Sequence, residues 1–203
     1  MTVIRGLIRP AIALTLLLCV ITGLVYPGIV TVLAQLLFPH QAQGSLVRAA
    51  DGRVLGSGLI GQSFTRPEYF HPRPSAAGAG YDASQSGGTN LGPTSAKLAD
   101  TLIAQAVDSV VKSDEAVRGQ IPSDMVTASA SGLDPDISPA NAELQVERVA
   151  RARGASADAV RRLVARHTAE RQFGIFGDPR VNVLELNLAL DSVFPRRTGV
   201  VSR

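Results

Sequence analysis

A short glycine-containing segment, Gln85-Ser86-Gly87-Gly88, is the part of the sequence best suited to bind an anion. Successive backbone N–H groups in a glycine turn can cradle a phosphate or a carboxylate. No lysine of the Walker type accompanies these glycines. A tight turn that delivers the chain to a helix capped by Thr94 or Ser95 explains the same residues. The sequence alone leaves both interpretations open, an anion-binding loop and a structural turn.

Other patterns of reactive residues do not assemble an active site. Gly56-Ser-Gly58-Leu-Ile-Gly61 fits a dinucleotide-binding pattern, but the helix that must follow it is missing. The histidines lie too far apart in the sequence for a metal site. Asp134 and Asp136 could act as an acid and a base, although Asp before Pro is typical of a turn. We therefore predict no catalytic residue, no metal site and no independent enzymatic activity.

An uncharged apolar segment near the N-terminus predicts a membrane anchor. No Asp, Glu, Lys or Arg lies between Arg9 and Arg48. About 20 apolar residues suffice to cross a bilayer, and a cleaved signal peptide has a shorter apolar region, of about 7–15 residues. We predict a transmembrane helix over residues 10–38, with a kink at Pro27, in contact with membrane lipid. Because Arg5 and Arg9 precede it, residues 1–9 are expected in the cytoplasm and residues 39–203 outside the cytoplasm.

One side of this helix carries small and weakly polar side chains. Their spacings of three and four residues place them on one stripe. Such a stripe allows a second helix to approach closely and to form hydrogen bonds, although small residues are common in membrane spans. We predict that the stripe contacts a partner helix; its residues are Ala11, Thr15, Cys19, Thr22, Gly23 and Tyr26.

The remainder of the chain predicts one small extracytoplasmic domain of the α+β class. A hairpin is expected around Asp51-Gly52, a strand over Met125–Ser131, and helices capped by Ser138, Ser156 and Asn182. The apolar pattern after Asn182 also fits a strand. The glycine-rich region 56–93 contains aromatic residues that need burial, so we expect it to be ordered and packed on the domain or on a partner. The arginines of the later helices are expected to form a solvated face; they are Arg148, Arg151, Arg153, Arg161, Arg162 and Arg166.

Charge gives no support for a nucleic-acid partner. The formal net charge is +3, and no basic run with interleaved aromatic residues is present.

Several long segments together resemble one family, the C subunit of the Kdp-type potassium-transporting ATPase. The resemblance runs from the apolar segment nearly to the end of the chain. The segments that carry it include Tyr69-Phe-His-Pro-Arg-Pro-Ser75, Gln85-Ser-Gly-Gly-Thr-Asn-Leu91, Val126-Thr-Ala-Ser-Ala-Ser-Gly-Leu-Asp134, Arg148-Val-Ala-Arg-Ala-Arg153 and Val181-Asn-Val-Leu-Glu-Leu-Asn-Leu-Ala-Leu-Asp191. The long runs 127–134 and 185–191 are the most specific of these.

The resemblance implies an accessory subunit in the inner membrane of a bacterium. Its partners would be a channel-like potassium-translocating subunit and a P-type ATPase subunit, and it would be needed for assembly of their complex. The family is also described as a catalytic chaperone that raises the affinity of the ATP-hydrolysing subunit for ATP. That description implies contact between nucleotide and the glutamine beside the Ser-Gly-Gly turn, here Gln85, with Ser86, Gly87 and Gly88 near it. No stably bound cofactor is implied, and ATP enters only through the complex.

The predicted topology places Gln85 outside the cytoplasm, where ATP is scarce. An indirect effect on ATP affinity, through the conformational equilibrium of the complex, reconciles the two expectations. The alternative function is a membrane-tethered extracytoplasmic enzyme or binding protein that acts independently.

Overall fold

The computed structural model describes residues 2–116 and 118–195 and divides into two compact units, Met1–Val54 and Leu55–Arg203. In the described residues of the first unit, one helix, Gly6–Leu37, is long and apolar enough to cross a membrane. The second unit mixes helices with short strands. The predicted α+β class is therefore confirmed. The predicted assignment of residues 10–38 to the membrane stays a prediction.

The long helix changes its hydrogen-bonding pattern just before Pro27. It consists of helix α1 (Thr2–Val20), a π-helical turn (Ile21–Val25) and helix α2 (Tyr26–Leu37). Pro27 has no N–H to donate to the carbonyl oxygen of Gly23, so the regular ladder cannot continue. The N–H of Tyr26 instead donates to Ile21 O, five residues back. A π-helical turn thus precedes Pro27, and α2 follows it directly and runs to Leu37; the kink at Pro27 stays a prediction.

The rest of the first unit contains a short helix and the start of a hairpin. Helix α3 (Pro39–Ala42) is followed by strands β1 (Leu46–Arg48) and β2 (Val54–Ser57), which form a two-stranded sheet. Gly52 lies between the two strands and has a φ of +85°, a conformation that glycine adopts easily because it has no Cβ. The predicted hairpin is confirmed.

The α-helices described in the second unit are α4 (Ala104–Asp114, preceded by π-helical Lys97–Ile103), α5 (Pro139–Arg153), α6 (Ala157–Arg166) and α7 (Val183–Val193). The last three begin where a side chain accepts from a free backbone N–H group. Ser138, Ser156 and Asn182 each accept a hydrogen bond from the N–H three residues later. The three predicted N-caps are confirmed.

A three-stranded antiparallel sheet completes the second unit. Its strands are β3 (Asp136–Ile137), β4 (Thr168–Ala169) and β5 (Arg180–Asn182), in the order β3-β5-β4. Val181 lies in the middle, opposite Ile137 on one side and Thr168 on the other.

The strand predicted over Met125–Ser131 is wrong. Ser123–Met125 form a 3₁₀ turn, and residues 126–131 have no strand structure. Side chains satisfy the backbone here in place of a ladder: the Thr127 hydroxyl donates to Ser123 O at 2.6 Å. Small hydroxyl residues compete with sheet formation in this way.

The hydrophobic core lies between helices α5, α6 and α7, strand β5 and one aromatic residue of the irregular region. Phe70 is completely buried and packs in the same cluster as Leu186 and Leu190. The Asn187 side chain accepts from Phe70 N–H at 2.9 Å and donates to Phe70 O at 3.0 Å. The expectation that the glycine-rich region is ordered and packed on the domain is thus confirmed at Phe70.

Candidate functional site

Two of the arginines predicted to face solvent are buried, and they organise the second unit. Arg148 is 7% exposed and Arg153 is 5% exposed. The expectation of a solvated face is therefore wrong for these two, whereas Arg151 remains exposed and pairs with Glu115 at 2.8 Å. Burial of a guanidinium requires a partner for its charge, and both arginines find a carboxylate in a distant part of the chain. Among the described residues, Arg153 Nη2 is buried without a hydrogen-bond partner.

Arg148 joins the end of α4 to the irregular region. Its Nε donates to Asp114 Oδ1 at 2.7 Å, and the Asp114 side chain is only 1% exposed. Its Nη1 donates to Pro67 O at 2.6 Å and to Tyr69 O at 2.8 Å. Its Nη2 donates to Gln145 Oε1 at 2.6 Å. One side chain thus holds a helix end and two backbone carbonyls in a fixed arrangement.

Gln145 continues this arrangement to the next residues of the irregular region. Its Oε1 also accepts from His71 N–H at 2.7 Å, and its Nε2 donates to His71 O at 3.0 Å. Its Nε2 further donates to Asn141 Oδ1 at 2.7 Å. The side chains of α5 therefore supply hydrogen bonds that a sheet would otherwise give to this coil segment.

Arg153 fastens the same coil segment to α7. Its Nε donates to Glu68 O at 2.8 Å, and its Nη1 donates to Asp191 Oδ1 at 2.8 Å. The guanidinium lies 4.8 Å from the centre of the Tyr69 ring, and the Tyr69 hydroxyl donates to Asp191 Oδ2 at 2.9 Å. This is a cation–π contact with a shared carboxylate. The periodicity of the α5 sequence could not predict the burial of Arg148 and Arg153, because their partners lie up to 85 residues away in the chain.

Stability should fall on mild acidification because of His71. Burial, followed by the charge of Arg148, lowers the pKa of His71 below its ordinary value of 6.5. The unfolded chain then binds a proton near pH 6.5 that the folded chain does not take up, so the free energy of unfolding falls as the pH drops below about 6.5. We expect the midpoint of urea unfolding, for the full chain in detergent micelles, to decrease between pH 7.5 and 5.5.

A His71→Gln variant should show a smaller decrease over the same range. Burial raises the pKa of Asp136, with the charge of Arg180 acting in the opposite direction, so that group favours the folded state as the pH falls. The difference between the decreases of wild type and variant therefore gives the contribution of His71 to the pH dependence of stability. Equal slopes would contradict the assignment.

Asp134 and Asp136, the two carboxylates whose spacing allowed an acid and a base, make structural contacts. Asp134 Oδ1 accepts from Asp136 N–H at 3.1 Å, as expected of a turn, and Asp134 Oδ2 pairs with Arg73 at 2.8 Å. Asp136 pairs with Arg180 at 3.0 Å. The turn interpretation therefore accounts for Asp134, whereas Asp136 belongs to strand β3.

The Gln85-Ser86-Gly87-Gly88 segment packs against the loop that contains Ser129–Gly132. Gly87 N–H donates to Ser131 O at 2.9 Å, and the Ser86 hydroxyl donates to the same oxygen at 3.0 Å. Gln85 Nε2 donates to Asp82 Oδ2 at 2.9 Å. Residues 86–90 do not form the tight turn that we considered; hydrogen bonds to Ser131 hold Ser86 and Gly87 instead. The role of Gln85 toward nucleotide stays a prediction.

Gly132→Ala should destabilise the contact between these two loops. Gly132 has a φ of +67°, and an added Cβ would lie 2.6 Å from Gly87 O and 2.7 Å from Ala77 N. Left-handed strain and backbone overlap together should lower the free energy of unfolding by roughly 2–4 kcal/mol. Gly87→Ala is the matched control, since a Cβ there meets nothing within 4 Å. Urea unfolding of both variants checks this, and equal stabilities would contradict it.

The predicted partner stripe lies on the continuous helix of the first unit. All six of its residues are exposed within the isolated chain: Ala11, Thr15, Cys19, Thr22, Gly23 and Tyr26. The Thr22 hydroxyl donates to Leu18 O at 2.7 Å, so its hydrogen is already used within the helix. Its oxygen can still accept a hydrogen bond. The contact of this stripe with a partner helix stays a prediction.

One apolar helix that could span a membrane and one small α+β domain give the architecture of a membrane-anchored subunit. The family model of the c chain of the K⁺-transporting ATPase, KdpC, matches residues 8–192. The chain belongs to the KdpC family.

Curated relatives cover nearly the whole chain. The potassium-transporting ATPase KdpC subunit of Gemmatimonas aurantiaca is 65% identical over 187 residues, which are 92% of this chain and 92% of the relative. The KdpC subunit of Koribacter versatilis is 56% identical, over 93% of this chain and 95% of the relative. That of Geobacter sulfurreducens is 50% identical, over 93% of this chain and 98% of the relative.

Proposed function

We propose that this chain is a non-catalytic accessory subunit of an ATP-driven potassium-uptake complex in the bacterial inner membrane. The observation that carries the proposal is the family match over residues 8–192, which includes both the apolar helix and the domain. The partners would be a channel-like potassium-translocating subunit and a P-type ATPase subunit.

The distribution of charge supports a cytoplasmic N-terminus and an extracytoplasmic domain. Arg5 and Arg9 precede the predicted span over residues 10–38, and the first charged residue after it is Arg48. Basic residues that flank a span favour the cytoplasmic side. In this orientation the helix carries the assembly contacts within the membrane, and the domain acts outside.

The exposed stripe on the helix supports assembly through a partner helix. Small side chains let helix backbones approach closely, and the π-helical turn before Pro27 sits within the stripe. π-Helical turns are frequent at functional positions. Gly23 lies in that turn, and an added Cβ there would meet nothing within 4 Å in the isolated chain, so space for a close neighbour exists.

We further propose that the subunit raises ATP affinity indirectly, by biasing the conformational equilibrium of the complex. The surroundings of Gln85 support the indirect route. Its amide is bonded to Asp82, and hydrogen bonds from Ser84 lower the pKa of the Asp82 carboxyl. A carboxylate held in its charged form beside Gln85 would repel a polyphosphate.

Co-purification with the partner subunits tests the proposal. Wild-type chain should be recovered with both partners from detergent-solubilised membranes. A Thr15→Leu/Thr22→Leu variant should be recovered with them at least several-fold less, because added bulk separates the helix backbones. Ala13→Leu is the control, since position 13 lies about 200° around the helix from position 11. Failure of the wild-type chain to co-purify would overturn the proposed function, and full recovery of the double variant would overturn the role of the stripe.

A further inference from the structure

A hairpin between strands β4 and β5 exposes large apolar side chains at its end. We call Phe173, Ile175 and Phe176 the apolar hairpin tip; their exposures are 91%, 72% and 64%. Each ring would contribute about 150–250 Å² if it were buried. Exposure of such apolar side chains to water is unfavourable. By contrast, Phe70 of the same domain is completely buried.

The tip has a defined backbone and is not a loose loop. Gln172 N–H donates to Phe176 O at 2.9 Å, and Phe176 N–H donates to Gln172 O at the same distance. Ile175 N–H donates to Gln172 O at 3.1 Å. Arg171 Nη2 donates to Asp178 Oδ1 at 2.8 Å across the two arms of the hairpin. The apolar side chains are therefore presented in a fixed arrangement, which lowers the entropic cost of docking.

The turn itself places an aromatic residue where it is sterically disfavoured. Phe173 has a φ of +54°, and Gly174 follows with +73°. Positive φ at both central residues is the pattern of a type I′ turn, in which Asn or Gly usually takes the first position. Neither exposure nor backbone conformation favours phenylalanine at this site within the isolated chain.

We propose that the apolar hairpin tip docks into an apolar pocket on the extracytoplasmic surface of a partner subunit of the potassium-transport complex. The inference rests on the proposed function, since it requires assembly with those partners. The tip would act as an anchor: its aromatic side chains would fill the pocket, and the charged residues next to them would stay at the rim.

Area argues against a second copy of this chain as the occupant. Two phenylalanines and one isoleucine offer on the order of 400 Å², about half of the roughly 800 Å² per partner in a typical stable interface. An anchor of this size is sufficient where a membrane helix already holds the two proteins together and raises their effective concentration.

Charge argues against the lipid surface as the occupant. The nearest charged residues in sequence, Glu170, Arg171, Asp178 and Arg180, balance to zero. Both arginines are already paired, Arg171 with Asp178 and Arg180 with Asp136. Loops that bind anionic headgroups need unpaired basic residues near their apolar side chains.

A cysteine-labelling experiment tests the docking. Cys19 is the only cysteine of the chain and lies in the predicted membrane helix, so a charged, membrane-impermeant maleimide can label Ile175→Cys while the wild-type chain reports any reaction at Cys19. We expect labelling of the purified complex to be at least tenfold slower than labelling of the chain alone in detergent. Ala165→Cys, at an exposed position on α6, is the control for general access to the reagent.

Each other outcome overturns the inference in a distinct way. Equal rates in a complex that co-purifies normally would show a free tip and leave the proposed function intact. Slow labelling of the chain alone in lipid vesicles, but not in detergent, would assign the tip to the membrane. Slow labelling that depends on the concentration of the chain alone would assign it to a second copy. Failure of the chain to co-purify at all would overturn the proposed function itself.

Discussion

Replacing Arg148 by methionine should lower the free energy of unfolding by about 3–5 kcal/mol, since it leaves a buried carboxylate without its counter-ion. Asp114 is 1% exposed, and Arg148 Nε is its partner at 2.7 Å. The carbonyls of Pro67 and Tyr69 would lose their donor as well. Methionine keeps most of the apolar stem, so the expected loss comes from charge and hydrogen bonding.

Arg151→Met is the matched control for Arg148→Met. Arg151 lies on the same helix and pairs with Glu115, the residue after Asp114, at 2.8 Å. Both of these side chains are at least 65% exposed, so water already solvates their charges. Surface ion pairs of this kind contribute about 0–1 kcal/mol. Urea unfolding of the full chain in micelles compares the two variants.

A second substitution distinguishes the effect of the uncompensated Asp114 charge from the effect of lost packing in Arg148→Met. Adding Asp114→Asn to Arg148→Met removes the uncompensated carboxylate, so the double variant should regain part of the stability lost by the single one. Equal stability of the single and double variants would contradict an electrostatic origin.

Phe70→Ala should also lower the free energy of unfolding by about 3–5 kcal/mol. The ring is completely buried in the cluster that includes Leu186 and Leu190. Truncation leaves a cavity that the neighbouring helices cannot fill, while the backbone bonds to Asn187 can persist. Loss of the ring should therefore weaken the attachment of the irregular region to α7.

Phe173→Ala is the control for Phe70→Ala. The same substitution at a side chain that is 91% exposed should change the free energy of unfolding by less than about 0.5 kcal/mol. Urea unfolding of the two variants provides the comparison. A large loss at Phe173, or a small one at Phe70, would contradict the assignment of these rings to the surface and the core.

The sequence carried enough local information to place most of the helices. Three helices are capped by a side chain that accepts from the backbone N–H three residues later; the caps are Ser138, Ser156 and Asn182. Such hydrogen bonds depend only on residues close in sequence. Gly154 ends α5 in the left-handed conformation for the same local reason.

The short strands and the buried arginines could not be predicted in this way. Strands β3 and β4 have two residues each, too few to show alternation. Arg148 and Arg153 have the spacing of an ordinary helix surface, and their burial is explained by bonds to residues 67–69 and to the carboxylates of Asp114 and Asp191. The sequence indicated only that the aromatic residues of the glycine-rich region need a surface to pack against, and it did not show that this surface includes the two arginines.

The buried arginines stabilise the fold of the domain, whereas the apolar hairpin tip is proposed to dock on a partner. Arg148 and Arg153 hold the coil segment 67–71 on the helices, so their substitution should reduce stability. Phe173 contributes little to the domain by itself, so its substitution should affect assembly alone. Measuring both properties for both kinds of variant distinguishes a folding role from a docking role.

The central claim, a single-span subunit whose domain lies outside the cytoplasm, is tested most directly by reporter fusions at the C-terminus. Alkaline phosphatase is active only outside the cytoplasm, and β-galactosidase is active only inside. The predicted topology requires an active phosphatase fusion, an inactive galactosidase fusion and a fusion protein that retains the apolar helix. An active galactosidase fusion with an inactive phosphatase fusion, or a mature protein cleaved after the helix, would contradict it.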